Sequence, residues 1–275
     1  MEQHLICLDL DGTLLTDEKT ISPKTKATVQ QAIKDGHIVI ISTGRPHRAS
    51  INYYHELGLT TPMVNFNGAL IHHPLDHKWD AIHSPLPLRK AKEIVHMAKE
   101  TGVKNILAEV KDHVHLHYHD EEMMKIFDTN EHPVTIGPLT SHLTTDPTSI
   151  LIQPKEGDIE KVQEIRQELD KHAEAIDHRR WGAPWHVIEI VRSGLNKAVG
   201  VHKIAHYYHI PRERIIAFGD EDNDFEMIDY AGTGVAMGNA IDGLKSIADE
   251  VISTNQEDGI ADFLDEYLYR NKTMK

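Results

Sequence analysis

The fold is decided by the stretch His4-Leu5-Ile6-Cys7-Leu8-Asp9-Leu10-Asp11-Gly12-Thr13-Leu14-Leu15. Its apolar run predicts a buried strand of a parallel sheet. Asp9 and Asp11 follow at the carboxyl end of that strand, where open α/β sheets bind their ligands. Two carboxylates held this close repel each other, and Mg²⁺, which prefers carboxylate oxygens, water and phosphate, offsets that charge best. The stretch therefore indicates a Mg²⁺ site, although an exposed Asp-x-Asp-Gly turn without a ligand is the alternative.

Composition narrows the class of protein. The 275 residues are enough for one large domain or two ordinary ones. The net charge of −14 argues against binding to nucleic acid or to anionic membranes. The one cysteine excludes an internal disulfide and fits a reducing compartment. Because we find no signal peptide and no apolar run of membrane-spanning length, we expect a soluble cytoplasmic protein, a monomer or homodimer, that acts on a small molecule.

Helix and strand patterns alternate after the acidic stretch. Ser22-Pro23 predicts the start of a helix that Asp35-Gly36 ends. The apolar run 37–42 predicts the next buried strand, so the three segments form a right-handed crossover of ordinary size. The carboxyl ends of parallel strands meet at one edge of the sheet, and we therefore expect Thr43 to lie on the same edge as Asp9.

The pattern between about residues 74 and 188 differs, because helices there alternate with pairs of strands, as is typical of an α+β layer. The first pattern then resumes with a helix from Lys197, a strand at 214–218 and the acidic loop 219–224. We therefore predict an α/β protein with a doubly wound (Rossmann-like) parallel-sheet core and an inserted α+β cap domain. The predicted bounds are 1–83 and 189–275 for the core and 84–188 for the cap.

Four motifs fall at the carboxyl ends of predicted core strands or at a helix start. They are Asp-Leu-Asp-Gly-Thr-Leu-Leu at 9–15, Ser-Thr-Gly-Arg-Pro at 42–46, Lys197, and Gly-Asp-Glu-Asp-Asn-Asp at 219–224. In this order and spacing, the motifs resemble those of the haloacid dehalogenase-like superfamily of aspartate-nucleophile phosphatases. Asn67-Gly68-Ala69 and the insert resemble the Cof-type subgroup with an α+β cap, subclass IIB. The resemblance covers essentially the whole chain.

The resemblance implies a role for each motif residue. Asp9 would be the nucleophile that forms an aspartyl-phosphate, and Asp11 would protonate the leaving oxygen and later take a proton from water. Phosphoryl oxygens would be held by the Leu10 and Gly44 amides, the Thr43 hydroxyl and the Lys197 ammonium, while Asn223 would bind phosphate or orient Asp9. Mg²⁺ would be bound by Asp9, the Asp11 carbonyl and Asp220, with Asp224 as a ligand or a supporting partner.

Other polar residues of these motifs have simpler interpretations. Taken alone, Thr43 is a turn hydroxyl and Lys197 an exposed lysine of a first helical turn. Asp222 and Glu221 are expected to be solvated. Arg45 and Arg48 are more typical of structural ion pairs at a helix start than of substrate contacts. Candidate contributors to the cap and hinge are Asn67, His186 and Glu189.

The segment His113-Val114-His115-Leu116-His117-Tyr118-His119 alternates strictly, so a strand would place its four histidines on one face. Such a face could bind Zn²⁺, but no Cys or carboxylate at ligand spacing supports a metal there. A plain polar face is the favoured interpretation, and contact with substrate from the cap is left open.

The leading hypothesis is a Mg²⁺-dependent phosphatase that acts on a small phosphorylated metabolite, either a sugar phosphate or a phosphorylated cofactor intermediate such as a flavin precursor. The core would bind phosphate, and cap motion would admit the substrate. A phosphomutase or phosphotransferase of the same superfamily is one alternative, since it would return the phosphoryl group to a hydroxyl. A receiver-like phosphoacceptor is the other, although receivers lack a cap and an acid two residues after the acceptor.

Overall fold

The computed structural model describes residues 2–126, 132–155, 159–180 and 187–269, which form two compact units. Within those ranges the first unit comprises 2–44, 50–81 and 196–269, and the second comprises 45–49 and the described parts of 82–195. The observed return to the first unit at 196 lies beyond the predicted boundary at 189. The reason is that the strand at that boundary pairs within the sheet of the second unit.

The elements are numbered in chain order over the described residues. The strands are β1 Leu5–Leu8, β2 Ile38–Ile41, β3 Met63–Asn65, β4 Leu70–His72, β5 Ile82–His83, β6 Asn105–Val110, β7 His113–Leu116, β8 Val134–Ile136, β9 Ser149–Gln153, β10 Ile176–Arg180, β11 Ile188–Arg192, β12 Ile215–Gly219, β13 Thr233–Ala236 and β14 Glu250–Val251. The α-helices are α1 Pro23–Lys34, α2 Ile51–Leu57, α3 Leu88–Thr101, α4 Glu121–Ile126, α5 Leu139–His142, α6 Ile159–Asp170, α7 Lys197–Tyr207, α8 Phe225–Tyr230, α9 Asp242–Ile247 and α10 Gly259–Tyr269. None of these helices is both long and apolar enough to cross a membrane.

A parallel five-stranded sheet forms the centre of the first unit, with the strand order β14-β13-β12-β1-β2. In its middle, Leu5 of β1 lies opposite Ile38 of β2 on one side and Ile215 of β12 on the other. All residues of these three strands are buried, which explains why they read as continuous apolar runs. Their carboxyl ends lead into three of the four sequence motifs, so the predicted parallel core is confirmed.

Helix α1 shows how local sequence sets the boundaries. The Ser22 hydroxyl accepts a hydrogen bond from the Thr25 N–H at 3.1 Å, and Pro23 occupies the first helical position, where its missing N–H leaves no bond unmade. The helix ends at Lys34, and Gly36 follows with a φ of +91°. Both ends agree with the prediction.

The second unit is an α+β layer, as predicted. Its six-stranded sheet has the order β10-β11-β9-β6-β7-β8 and is antiparallel except for the parallel pair β7–β8. Alternate residues of the strands, among them Ile106, Ile150 and Ile190, form an apolar cluster with Ile94 of α3 and Ile165 of α6. One face of the sheet is therefore covered by helices.

Strand β7 is shorter than the histidine alternation suggested, because it ends at Leu116. The main chain of Tyr118 bonds instead to the Asn105 side chain: its N–H donates to Oδ1 and its carbonyl accepts from Nδ2, both at 3.1 Å. His117 and His119 therefore lie beyond the strand. Elements that were not predicted are β4, β5, β8, β14, α5 and α9.

The central sheet should be the most sensitive part of the first unit to loss of apolar volume. Ile216→Ala in β12, at a position with no exposed area, should lower the free energy of unfolding by about 2–5 kcal/mol. The matched variant is Ile247→Ala in α9, where the side chain is 42% exposed and the change should stay within about 0.5 kcal/mol. Urea denaturation monitored by circular dichroism measures both, and equal losses would contradict the assignment of β12 to the core.

Candidate active site

The acidic loop after β1 is a closed turn around Gly12. The Leu10 carbonyl accepts hydrogen bonds from the N–H groups of Thr13 at 3.3 Å and Leu15 at 2.8 Å. Gly12 has a φ of +75°, and a Cβ placed on it would lie 2.1 Å from Oδ2 of Asp220. Only glycine fits both the backbone conformation and this approach. The turn therefore brings the β1 loop against the loop that follows β12.

A buried lysine joins two of the predicted carboxylates. Lys197 is the first residue of α7, behind Asn196, whose side chain caps the helix. The Lys197 Nζ donates to Oδ1 of Asp9 at 2.6 Å and to Oδ1 of Asp224 at 2.7 Å, and the side chains of Lys197 and Asp224 have no exposed area. The expectation that Lys197 alone would be an exposed lysine does not apply, because both carboxylates offset the cost of burying its charge.

The loop after β12 places Asp220 and Asp224 beside this pair. Oδ2 of Asp224 accepts the main-chain N–H groups of Asp220 at 3.0 Å and Glu221 at 3.1 Å. Oδ1 of Asp220 accepts the hydroxyl of Thr13 at 2.8 Å. Both oxygens of Asp224 thus have protein donors, and one oxygen of Asp220 does.

The carboxylates of Asp9, Asp220 and Asp224 offer oxygens within 4.8 Å of one another, and all three residues are buried. Burial raises the pKa of Asp9 to about 7, although the Lys197 charge opposes the shift. Burial, with the charges of Asp9 and Asp224, raises the pKa of Asp220 to about 8. Both pKa values are raised because burial and the neighbouring carboxylates disfavour the charged form of each group. The donor set fits a hard divalent cation, which would remove that penalty.

Asp11 lies apart from the buried carboxylates. Its carboxylate forms an ion pair with the Lys19 Nζ at 2.8 Å, and the two side chains are 45% and 54% exposed. Lys19 itself has a φ of +60°, and its carbonyl accepts the Tyr53 hydroxyl at 3.0 Å. Sequence reasoning missed Lys19, because a lysine in a polar loop carries no signal of its partner. The Asp11 side chain is thus half-exposed and lies outside the buried cluster of carboxylates.

The residues that follow β2 and those that follow β3 lie next to each other, because Ser42 and Val64 form a parallel bridge between the two segments. The Asn67 N–H donates to the Thr43 carbonyl at 3.1 Å, and the Asn67 Oδ1 accepts from Nδ2 of Asn223 at 3.0 Å. A Cβ on Gly44 would lie 3.1 Å from the Asn67 Nδ2. Phe66 and Asn67 both have left-handed backbones, with φ of 50° and 51°, an arrangement that costs free energy and concentrates at functional sites. Thr43, Gly44 and Asn223 are therefore brought together, with Asn67 between them.

The other polar residues singled out from the sequence do not join the cluster of buried carboxylates. Arg48 forms a buried ion pair with Glu109, as expected for a structural role, and Arg45 donates to the Ala49 carbonyl at 3.1 Å. Asp222 and Glu221 are exposed, as predicted. Glu189 is buried in β11 opposite Leu151, and His186 lies outside the described residues.

The histidines of β7 contact one another and their neighbours in the second unit. His113 and His115 stack with ring centroids 4.1 Å apart, and burial, reinforced by His113 and His142, lowers the pKa of His115 to about 4. Across the described ranges, the three buried aspartates are the one cluster of at least three candidate ligands whose ligand atoms approach closely enough for a metal. The polar-face interpretation is consistent with this geometry.

Two further asparagines contact the acidic loop, and sequence reasoning missed both. Asn239 donates through Nδ2 to the Gly12 carbonyl at 2.8 Å, and Asn255 donates through Nδ2 to the Leu15 carbonyl at 2.9 Å. Asparagine in a polar turn is common, so neither position stood out from composition or spacing.

Comparison with known proteins defines the class. Residues 6–264 match the family model of haloacid dehalogenase-like hydrolases, so the chain belongs to this family, as an enzyme of the phosphoric monoester hydrolase class. It is 56% identical over 265 residues to the 5-amino-6-(5-phospho-D-ribitylamino)uracil phosphatase YitU of Bacillus subtilis, covering 96% of this chain and 97% of that one. It is 30% identical to the pyridoxal phosphate phosphatase YbhA of Escherichia coli, covering 98% and 100%.

Solved structures agree with the fold. A haloacid dehalogenase-like hydrolase from Bacteroides thetaiotaomicron superposes with a TM-score of 0.83 at 26% identity, covering 97% of this chain and 100% of that one. A second, from Bacillus subtilis, gives a TM-score of 0.79 at 28% identity, covering 95% and 99%. The predicted superfamily resemblance is thereby confirmed.

Removing the buried lysine should destabilise the site through its unpaired carboxylates. In chelator at about pH 8, Lys197→Met should lower the free energy of unfolding by about 3–5 kcal/mol. The loss should be smaller at about pH 5, which lies below the Asp9 pKa of about 7. Asp9 is then protonated and neutral, so removing Lys197 leaves no charged carboxylate unpaired at that position.

The matched control is Lys203→Met on the same helix, whose ammonium lies 5.1 Å from the ring centre of Trp79 and should contribute only about 0.5–1 kcal/mol. Thermal and urea denaturation of both variants measure the difference. Equal losses at about pH 8 would contradict the proposed dependence of Asp9 and Asp224 on Lys197.

Proposed function

We propose that this chain is a Mg²⁺-dependent phosphatase that hydrolyses a small phosphorylated metabolite through an aspartyl-phosphate on Asp9. The observation that carries the proposal is the buried Asp9 carboxylate, held by the Lys197 ammonium at 2.6 Å beside Asp220. A phosphate monoester repels nucleophiles through its own charge, so catalysis needs an aligned nucleophile and neutralised oxygens. In the proposed mechanism, Asp9 would be the aligned nucleophile, and Lys197 with Mg²⁺ would neutralise the oxygens.

The hydrogen bonds favour a particular set of metal ligands. Both oxygens of Asp224 accept protein donors, so we assign it to holding Lys197 and the loop amides rather than to direct ligation. Among the described residues, no donor bonds to Oδ2 of Asp9 or of Asp220, and these oxygens, with the Asp11 carbonyl, are the proposed ligands. Mg²⁺ bound there would neutralise charge on the phosphoryl group and on the two carboxylates.

The chain's own groups would perform the two displacements. A carboxylate oxygen of Asp9 attacks phosphorus, the bond from phosphorus to the leaving oxygen breaks, and the Asp11 carboxyl gives that oxygen its proton. In the second step, water attacks phosphorus, Asp11 takes the proton from the water, and the bond to Asp9 breaks. The overall products are an alcohol and inorganic phosphate, so atoms and charge balance.

The phosphoryl oxygens need oriented donors during both steps. An ammonium has three N–H groups. Among the described residues, Lys197 donates two of them to carboxylates, which leaves the third for a phosphoryl oxygen. The Thr43 hydroxyl and the Gly44 and Leu10 amides complete the proposed cradle, with Asn223 oriented by Asn67. Loss of one such donor typically raises the barrier by about 2.7–4 kcal/mol.

Asp9→Asn should abolish turnover, because an amide oxygen is too weak a nucleophile to attack phosphorus. We expect kcat on p-nitrophenyl phosphate with Mg²⁺ to fall by at least about a thousandfold, and wild-type turnover to stop in chelator. Asp222→Asn is the matched control: it makes the same change at an exposed position and should keep wild-type activity. Full activity of Asp9→Asn would exclude Asp9 as the nucleophile.

The substrate proposed is 5-amino-6-(5-phospho-D-ribitylamino)uracil, which the 56% identical relative is named for. This compound carries a terminal phosphate monoester on a polar chain, which suits the proposed chemistry. Pyridoxal phosphate, the substrate in the name of the 30% identical relative, is the natural competitor.

The substrate assignment predicts an order of specificity. With purified enzyme and Mg²⁺, kcat/KM for 5-amino-6-(5-phospho-D-ribitylamino)uracil should exceed that for pyridoxal phosphate by more than about tenfold, a difference of roughly 1.4 kcal/mol in the transition state. Phosphate release measures both. A preference for pyridoxal phosphate would overturn the substrate while leaving the phosphatase assignment intact.

A further inference from the structure

The turn that follows β3, residues 66–68, lies directly against the start of α7. Gly68 has a φ of +96°, and a Cβ placed on it would lie 2.4 Å from the main-chain carbonyl oxygen of Asn196. A main-chain carbonyl, unlike the end of a long side chain, cannot rotate away, so a side chain at position 68 would push Asn196 aside. Glycine at this position therefore sets how closely the residue before Lys197 approaches the turn.

A second close approach lies at the end of the first turn of α7. A Cβ on Gly200 would lie 2.5 Å and 2.6 Å from the two methyl carbons of Val64 in β3, a residue with no exposed area. Because a close-packed interior leaves little space for such a shift, the helix approaches β3 this closely through the glycine. The main chain on both sides of Lys197 is therefore packed against β3 and the turn that follows it.

Asn196 also fixes the first turn of α7 through its own side chain. Its Oδ1 accepts the Val199 N–H at 3.1 Å, and its main-chain carbonyl accepts the same N–H at 3.2 Å. Such a cap holds a helix start in place, because the first N–H groups of a helix have no partner within it. Since consecutive Cα atoms lie about 3.8 Å apart across a trans peptide, any shift of Asn196 is passed on to Lys197.

The Lys197 side chain has little freedom to absorb such a shift. It has no exposed area, and its Nζ is held by the bonds of 2.6 Å to Asp9 and 2.7 Å to Asp224. A lysine at the surface could compensate for a displaced Cα by changing rotamers, whereas a side chain in a close-packed interior cannot. The direction of the third N–H of Lys197 therefore follows from the position of the main chain at the start of α7.

We propose that Gly68 and Asn196 are positioning residues for Lys197. Gly68 sets how closely the start of α7 approaches the turn after β3, and Asn196 fixes the first turn of that helix, so that the third N–H of Lys197 is aimed at a phosphoryl oxygen. This rests on the proposed function, in which Lys197 binds that oxygen. A small misplacement of such a group is costly, because the reaction requires donors and reacting atoms in a narrow range of geometry.

The first test compares two alanine substitutions at glycines with left-handed backbones. Gly68→Ala should lower kcat/KM for p-nitrophenyl phosphate with Mg²⁺ by at least about tenfold. Gly36→Ala is the matched control, because Gly36 has a φ of +91° and no described atom lies within 4 Å of its Cβ position. It introduces the same backbone strain without displacing a helix and should stay within about twofold of wild type. Equal effects of the two substitutions, with folding verified by circular dichroism, would overturn the proposal.

A double-mutant cycle tests whether Gly68 acts through Lys197. In a Lys197→Met background, Gly68→Ala should lower kcat/KM by less than about a further twofold, because the group that it positions is already absent. A general structural role of Gly68 would instead lower kcat/KM by the same factor in both backgrounds. That result would overturn the proposal.

Substitutions of the cap carry the test even if Gly68→Ala does not fold. Asn196→Ala, which removes the cap, should lower kcat/KM about fivefold, whereas Asn196→Ser, which keeps a capping oxygen, should stay within about twofold of wild type. Ser22→Ala is the control, since it removes the side-chain cap of α1 in the same unit and should also stay within about twofold. Full activity of Asn196→Ala, or equal losses in Asn196→Ala and Asn196→Ser, would exclude Asn196 as a positioning residue.

Lys197→Met separates this proposal from the proposed function. As a phosphoryl donor, Lys197 should contribute at least about a hundredfold to kcat/KM. If Lys197→Met causes a smaller loss, the role assigned to Lys197 is wrong, and the positioning proposal is wrong with it. If Lys197→Met causes the full loss while Gly68→Ala and Asn196→Ala leave kcat/KM unchanged, only the positioning proposal is wrong.

Discussion

The contact between Lys197 and the carboxylates of Asp9 and Asp224 is the constraint on which the site depends. Three groups with full charges are removed from water, which is unfavourable for each alone, and the two bonds of 2.6 and 2.7 Å recover that loss only in this arrangement. The groups come from the end of β1, the start of α7 and the loop after β12. Their pairing therefore joins the segments of the first unit that precede and follow the inserted second unit.

Close main-chain approach is what allows these segments to meet. A Cβ on Gly12 would overlap the Asp220 carboxylate, and a Cβ on Gly219 would lie 2.5 Å from the Cβ of Asp224. The buried cluster thus needs two glycines as much as it needs its carboxylates. This is the physical reason why Asp-x-Asp-Gly and Gly-Asp occur as units in the two loops.

The sequence was sufficient for the parallel core and for the order of the site residues, because both depend on local patterns. Apolar runs identify β1, β2 and β12, and the rule that parallel strands end at one edge brings Asp9, Thr43 and Asp220 together. The hydrogen-bond or ion-pair partner of a side chain in a loop could not be predicted in this way. The pairing of Asp11 with Lys19, and of Asn239 with Gly12, depends on loop conformations that no periodicity encodes.

The same distinction explains the end of β7. Its alternating histidines predicted a longer strand, but after the His117 N–H, which still donates to the Ile106 carbonyl, the side chain of Asn105 bonds both main-chain groups of Tyr118 in place of a ladder partner. The predicted boundary at 189 cuts through β11, which belongs to the second unit because it pairs with β9 and β10.

The central claim is that the phosphoryl group is carried on Asp9 between two in-line displacements. Its most direct test is the stereochemical course at phosphorus, measured with a substrate whose phosphate is made chiral with oxygen isotopes and with transfer to an alcohol acceptor. Two displacements invert the configuration twice, so the account predicts overall retention. Overall inversion would mean a single direct attack on phosphorus, and it would contradict an aspartyl-phosphate on this chain.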